Sequence, residues 1–193
     1  MLNLFQHPIK LEEDPESPDI SGLADEKVKF HVEGTTELQV IFLFKSGEMQ
    51  FEPKTTNYKQ KVEESFKLQK FMQFIGAKLI KVEPGFCEIH LPFHENLTQQ
   101  DGFFHAGIIS TLADNVAGYA SFTLMEEDAS MLSVEFKLNL LSPGIGEVLV
   151  ARGQVLKSGK TLSVCRSDVF VLKDGVEKLC AASQTTLIQL RRS

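Results

Sequence analysis

Between Gly102 and Met125 a single formal charge, Asp114, sits in the otherwise small and apolar run FFHAGIISTLADNVAGYASFTLM (103–125). An unpaired carboxylate in apolar surroundings is costly unless it is hydrogen-bonded or used. Two roles fit it: a cap or pair for backbone groups near a loop, or a base, since desolvation makes carboxylates better bases near neutral pH. His105-Ala106-Gly107 lies about two and a half turns earlier, at the expected start of a helix. The first N–H groups of a helix lack intrahelical acceptors and carry the positive end of the dipole. A carbonyl oxygen brought there is polarised, and the oxyanion that develops from it is stabilised. A base for water and an oxyanion donor suffice for a thioester in particular. Thiols ionise near pH ~8.5, so the thiolate departs without a strong general acid.

Other chemistries lack their residues. The sequence has no GxSxG elbow, phosphate-binding GxxxxGK[ST] loop, GxGxxG or HExxH. His90 and His94 flank Pro92 in a strand-like stretch, a poor zinc pair. Cys87, Cys165 and Cys180 are odd in number and far apart, and read as reduced, buried thiols. No metal and no resident cofactor are expected. A net charge of −6 argues against nucleic acid. The N-terminal residues lack the pattern of a signal peptide, and LQVIFLF (38–44) is far short of the roughly 20 residues of a membrane span. The expectation is a soluble, cytoplasmic protein with no membrane partner.

The elements that must hold these residues are legible in outline. Residues 1–26 are acidic and broken by Pro8, Pro15 and Pro18; residues 27–51 read as two strands turning at Gly34 and Gly47. Val62, Phe66, Phe71, Met72 and Ile75 share one face of a helix expected over 58–75, closed by Gly76. AKLIKVE and FCEIHLPF make a strand pair about Pro84-Gly85, and 103–125 makes a buried helix with Gly118 at a close contact. MLSVEFKLNLL, GEVLVARGQVLK, TLSVCRSDVFVLK and VEKLCAASQTTLIQL then form a meander of strands joined by turns at Ser142-Pro143-Gly144, Lys157–Lys160 and Lys173-Asp174-Gly175. The sum is a curved antiparallel sheet around one helix.

The run LTQQDGFFHAGIISTLADNVAGYAS resembles the central motif of the phenylacetate-pathway (PaaI-like) hotdog thioesterases, and the resemblance extends over about 58–190. It implies an α+β hotdog fold over 58–193 after an N-terminal extension, 1–57. It also implies a homodimer with sites between subunits, often a dimer of dimers. The substrate class would be acyl- or aryl-CoA, with coenzyme A present only as part of the substrate. Carried over by position, Asp114 is the general base or nucleophile. The Ala106 N–H polarises the carbonyl with Gly107 beside it, and Gln99 stands where the family commonly has asparagine. His105 and Ser133 belong to the substrate side of the site. HAG departs from the commoner HGG, which a backbone donor tolerates. By strict alternation Ser133 shares a face with Glu135, Lys137 and Asn139, opposite Leu132, Val134, Phe136 and Leu138.

Coenzyme A carries phosphates, for which Lys160, ahead of Lys157 and Arg166, is the candidate. Phe103, Phe104, Tyr119, Phe122 and Met125 are candidates either for an acyl tunnel or for plain core. Two further functions stay open on the residues: an acyl-thioester hydratase or dehydratase, and a non-catalytic acyl-CoA-binding module.

Overall fold

The computed structural model describes residues 51–191; the tail expected over 1–26 and all but the last residue of the hairpin expected over 27–51 lie outside them. Helices α1 (Tyr58–Leu68) and α2 (Lys70–Ile75) come first, then strands β1 (Lys78–Glu83) and β2 (Phe86–Pro92). Helix α3 (Ala106–Phe122) follows, then β3 (Ala129–Leu140), β4 (Val148–Ser158), β5 (Leu162–Lys173) and β6 (Val176–Arg191). All six strands form one sheet in the order β1-β2-β4-β5-β6-β3, with every neighbouring pair antiparallel. Helix α3 lies across one face of the sheet and buries Ile109, Leu112, Val116 and Ala120 against Ile89, Leu91, Leu149 and Val169. This is the hotdog arrangement that the sequence led us to expect.

Three expectations need correction. The single helix expected over 58–75 is broken at Gln69, which is extended (φ −75°, ψ 94°) and donates its side-chain amide to the Tyr119 hydroxyl at 2.8 Å. The break rephases the two pieces. Val62 and Phe66 of α1 and Met72 and Ile75 of α2 all reach the core, whereas Phe71 is 51 % exposed. Helix α3 is also shorter than the apolar run, because Phe103 and Phe104 belong to the loop that leads into it.

The third correction concerns connectivity. Only β4-β5-β6 is a meander; β3 pairs with β6 at the far edge, and β4 inserts beside β2. The Ser142-Pro143-Gly144 segment is therefore a crossover, not a hairpin turn. It is held by Leu141 N–H to Cys180 O (2.8 Å), Phe104 N–H to Gly144 O (3.0 Å) and Phe93 N–H to Glu147 O (2.7 Å).

Two glycines permit close approach to the helix. A Cβ on Gly153 of β4 would stand 2.4 Å from Val116 Cγ2 and 2.5 Å from Val116 O, so the strand and the helix backbone meet only because that position is bare. A Cβ on Gly118 would come 3.1 Å from Met131 Cε, the close packing expected there. Cys87, Cys165 and Cys180 are all free and buried, and burial pushes their thiols up, to about 12 for Cys87 and about 11 for the other two. Among the described residues no helix is long and apolar enough to cross a membrane.

Candidate active site

The loop before α3 is folded tightly on itself. Gln99 N–H bonds to Phe103 O, Gly102 N–H to Gln99 O through a left-handed Gly102 (φ 80°), and His105 N–H to Leu97 O. This delivers His105 as the N-cap of α3, and its Nδ1 accepts the Gly107 N–H at 2.9 Å. The ring lies so close that a Cβ on Gly107 would be 3.0 Å from Nδ1, which accounts for glycine there. The N–H groups of Ile108 and Ile109 go to His105 O. Ala106 is the one residue of this first turn whose N–H has no acceptor among the described residues, and it is exposed. The sequence reading expected the Ala106 N–H as donor with Gly107 beside it; the imidazole takes up the Gly107 N–H.

Gln99 and Ala106 line one groove of about 430 Å³, together with Phe103, Phe104, Ile109 and the crossover from Leu140 to Gly144. Gln99 Oε1 accepts the Asp101 N–H within its own loop, so the amide is held by the turn while its nitrogen keeps its donors.

Asp114 lies farther along the helix, half-buried rather than in the wholly buried setting expected of it. Helix residue 107 is exposed and residues 110, 111, 114 and 115 are half-buried. The hydroxyls of Ser110 and Thr111 return to Ala106 O (2.8 Å) and Gly107 O (2.9 Å) on the helix itself. Asp114 Oδ1 instead accepts a hydrogen bond from Ser133 Oγ of β3 at 2.6 Å.

Simple alternation fails for Ser133 because β3 is bulged. Ser133 opposes Leu187 while Glu135 opposes Thr186, so Val134 is an extra residue. Residues directly opposed across paired strands share a face. Ser133 therefore joins the buried Leu187 on the helix side, and past the bulge Phe136 and Leu138 take that side opposite Thr185 and Ser183. Leu132 and Val134 are left 60 % and 58 % exposed on the edge strand.

The remaining candidates fall elsewhere. Lys160 is exposed in the β4–β5 turn, which Gln189 N–H to Thr161 O ties to the Met131 end of the sheet, away from the groove. Lys157 is exposed too, and Arg166 is ion-paired with Asp168 at 3.0 Å. Tyr119, Phe122 and Met125 are buried core, so of the five tunnel candidates only Phe103 and Phe104 line the groove. Sequence reading missed Leu140, Leu141 and Pro143 as groove residues, because Ser-Pro-Gly signals a turn but not where that turn travels. It also missed Lys61 of α1, whose ammonium caps Met125 O (2.7 Å) and Glu126 O (3.1 Å) just beyond α3 and lies 4.4 Å from the centre of the Phe122 ring. Among the described residues no group of three or more metal-ligating side chains is assembled.

The chain's sequence and fold match known proteins. The model of the Thioesterase superfamily matches residues 101–178. A thioesterase family protein from Silicibacter pomeroyi is 44 % identical and superposes with a TM-score of 0.69, over 70 % of this chain and 99 % of that one. Acyl-coenzyme A thioesterase 13 of Homo sapiens is 29 % identical over 117 residues, 60 % of this chain and 83 % of that protein. The Escherichia coli PaaI protein from the phenylacetic acid degradation operon shares the fold, with a TM-score of 0.61 at 18 % identity over 69 % of this chain and 94 % of that one. This chain belongs to the thioesterase superfamily, and it is a thioester hydrolase.

Proposed function

We propose that this protein hydrolyses an acyl- or aryl-CoA thioester to the free acid and coenzyme A, at a site completed by two copies of the chain. The observation that carries this is a separation. Ala106 and Asp114 are eight residues apart on one helix, about 12 Å along its axis. A reacting carbonyl must sit ~3 Å from the oxyanion donor while its attacking water touches the base. One copy cannot meet both conditions. Two α3 helices running antiparallel side by side can, with the Ala106 N–H of one copy facing Asp114 of the other. The exposed and half-buried residues of α3 around Asp114 and the apolar edge strand β3, with Leu132 and Val134 exposed, support such a pairing.

In this reading Ser133 holds Oδ1 of Asp114, and Oδ2 takes the proton of a water attacking the thioester carbon. The Ala106 N–H of the second copy donates to the oxyanion, with Gln99 beside it. The C–S bond then breaks and the thiolate leaves with the electron pair, to be protonated from solvent. Gly107 and His105 act indirectly: they keep each other in place, so that Ala106 alone points its N–H outward. Lys160 is the proposed contact for the coenzyme A phosphates.

The test is thiol release from a panel of acyl-CoAs by wild type and Asp114→Asn. The reading expects hydrolysis by the wild type and a loss of at least about 10²–10⁴-fold in the variant. Full activity in Asp114→Asn would remove the carboxylate from the mechanism.

A further inference from the structure

A thioester carbonyl held at Ala106 has two arms, and the groove beside it can take only one of them. Its walls are Phe103, Ile109, Leu140, Leu141 and Pro143, and among the described residues no charged side chain lines it. Several polar groups of the crossover wall are already engaged: Leu141 and Ser142 N–H with Cys180 O, Ser142 Oγ with Leu179 O, and Gly144 O with Phe104 N–H. These bonds also fix the wall in place. At Gly144 a Cβ would stand 3.1 Å from Phe104 Cβ and 3.3 Å from Ile109 Cδ1, so the wall closes directly on the floor.

The pantetheine arm carries amides that lose hydrogen bonds to water on burial, and beyond it lie phosphates that need cations. Among the described residues the Gln99 amide is the one groove side chain with donors left to serve them, and it sits at the mouth beside Ala106. An aliphatic or aryl chain needs nothing but apolar contact. We propose that this groove receives the acyl arm, and that it selects uncharged acyl groups of several carbons over two-carbon and carboxylated ones. Coenzyme A then leaves the site in the opposite direction, away from the crossover wall.

This inference rests on the reading of the site given above, and the experiment separates the two. The kcat/KM for acetyl-, hexanoyl- and succinyl-CoA is measured for the full chain as wild type, Leu141→Asp and Leu141→Lys. Leu141 is 55 % exposed, so both variants are expected to fold. Each methylene buried is worth about fourfold. Wild type should therefore prefer hexanoyl to acetyl by at least about tenfold, and hexanoyl to succinyl by at least as much. Leu141→Asp should lower the hexanoyl-to-acetyl ratio about tenfold, mainly through KM. Leu141→Lys should raise the succinyl-to-hexanoyl ratio by a similar factor. Hydrolysis with all three ratios unchanged in both variants would overturn the groove assignment and leave the thioesterase site standing. Wild type that hydrolyses neither these three nor any other acyl- or aryl-CoA would overturn both.

Discussion

Ser133 and Asp114 share a hydrogen bond of 2.6 Å, and their difference in chemistry sorts what each removal should do. Asp114 supplies the base. Ser133 donates to one of its oxygens at 2.6 Å and so orients the other. Ser133→Ala is expected to lower kcat roughly tenfold to a hundredfold with little change in KM, a smaller loss than Asp114→Asn, as steady-state kinetics would report. An unchanged kcat would mean that the hydroxyl does not position the carboxylate. Asp114 was legible in the sequence because charge is rare in such an apolar run. The Ser133 partnership was not, because a one-residue bulge at Val134 reverses the face that alternation assigns.

At the scale of the element, the start of α3 can be edited one N–H at a time. Ala106 is the first helical residue after the His105 cap, where proline is tolerated and where His105 is already extended (φ −63°, ψ 137°) as a residue before proline must be. Ala106→Pro removes the free N–H and nothing else from the helix. Activity should fall about 10²–10³-fold with the melting temperature within a few degrees of wild type. A variant that keeps full activity would rule out this donor. The middle of the same helix meets β4 at Gly153, where the opposite balance holds. Gly153→Ala drives a methyl into the Val116 backbone, and chemical denaturation should show a loss of about 1–3 kcal/mol. Retained stability would show that strand and helix can separate at little cost.

For the molecule as a whole, two features lie beyond any single element. One is the pairing of copies. Asp114→Asn and Ala106→Pro should each be nearly inactive alone, yet a mixture refolded together should recover a substantial fraction of wild-type thiol release. Mixed pairs would carry one intact site; no recovery would argue for a site within one copy. The other feature is the network on the sheet face away from α3, where Arg152 binds Glu88 at 2.8 Å and both oxygens of Glu177 at 2.6 and 2.7 Å. Burial alone would push the Glu88 carboxyl up, but its bonds to Arg152 and His90 outweigh that and hold it low. The Arg152 fork likewise holds Glu177 low. Depressed carboxylates stabilise the fold above their unfolded value, near pH ~4.3, and that stability is lost as pH falls through the depressed folded values. The melting-temperature gap between wild type and Arg152→Met should therefore narrow from pH 6 to pH 3. A gap that stays constant would mean that the network contributes through packing alone.

Local chemistry was enough to read the helix carrying Asp114, its start near His105, the strand segments and the turns at Lys157–Lys160 and Lys173-Asp174-Gly175, since each depends on neighbours within a few positions in the chain. The break at Gln69 depended on a hydroxyl 50 residues away, at Tyr119. The crossing of Leu141–Gly144 depended on β4 pairing with β2 instead of β3. Those outcomes, and with them the groove beside Ala106 and the placement of Ser133, were settled by tertiary packing. Strand order and register are choices among backbone partners that all offer the same hydrogen bonds, and only the shape and burial of the assembled core distinguish them.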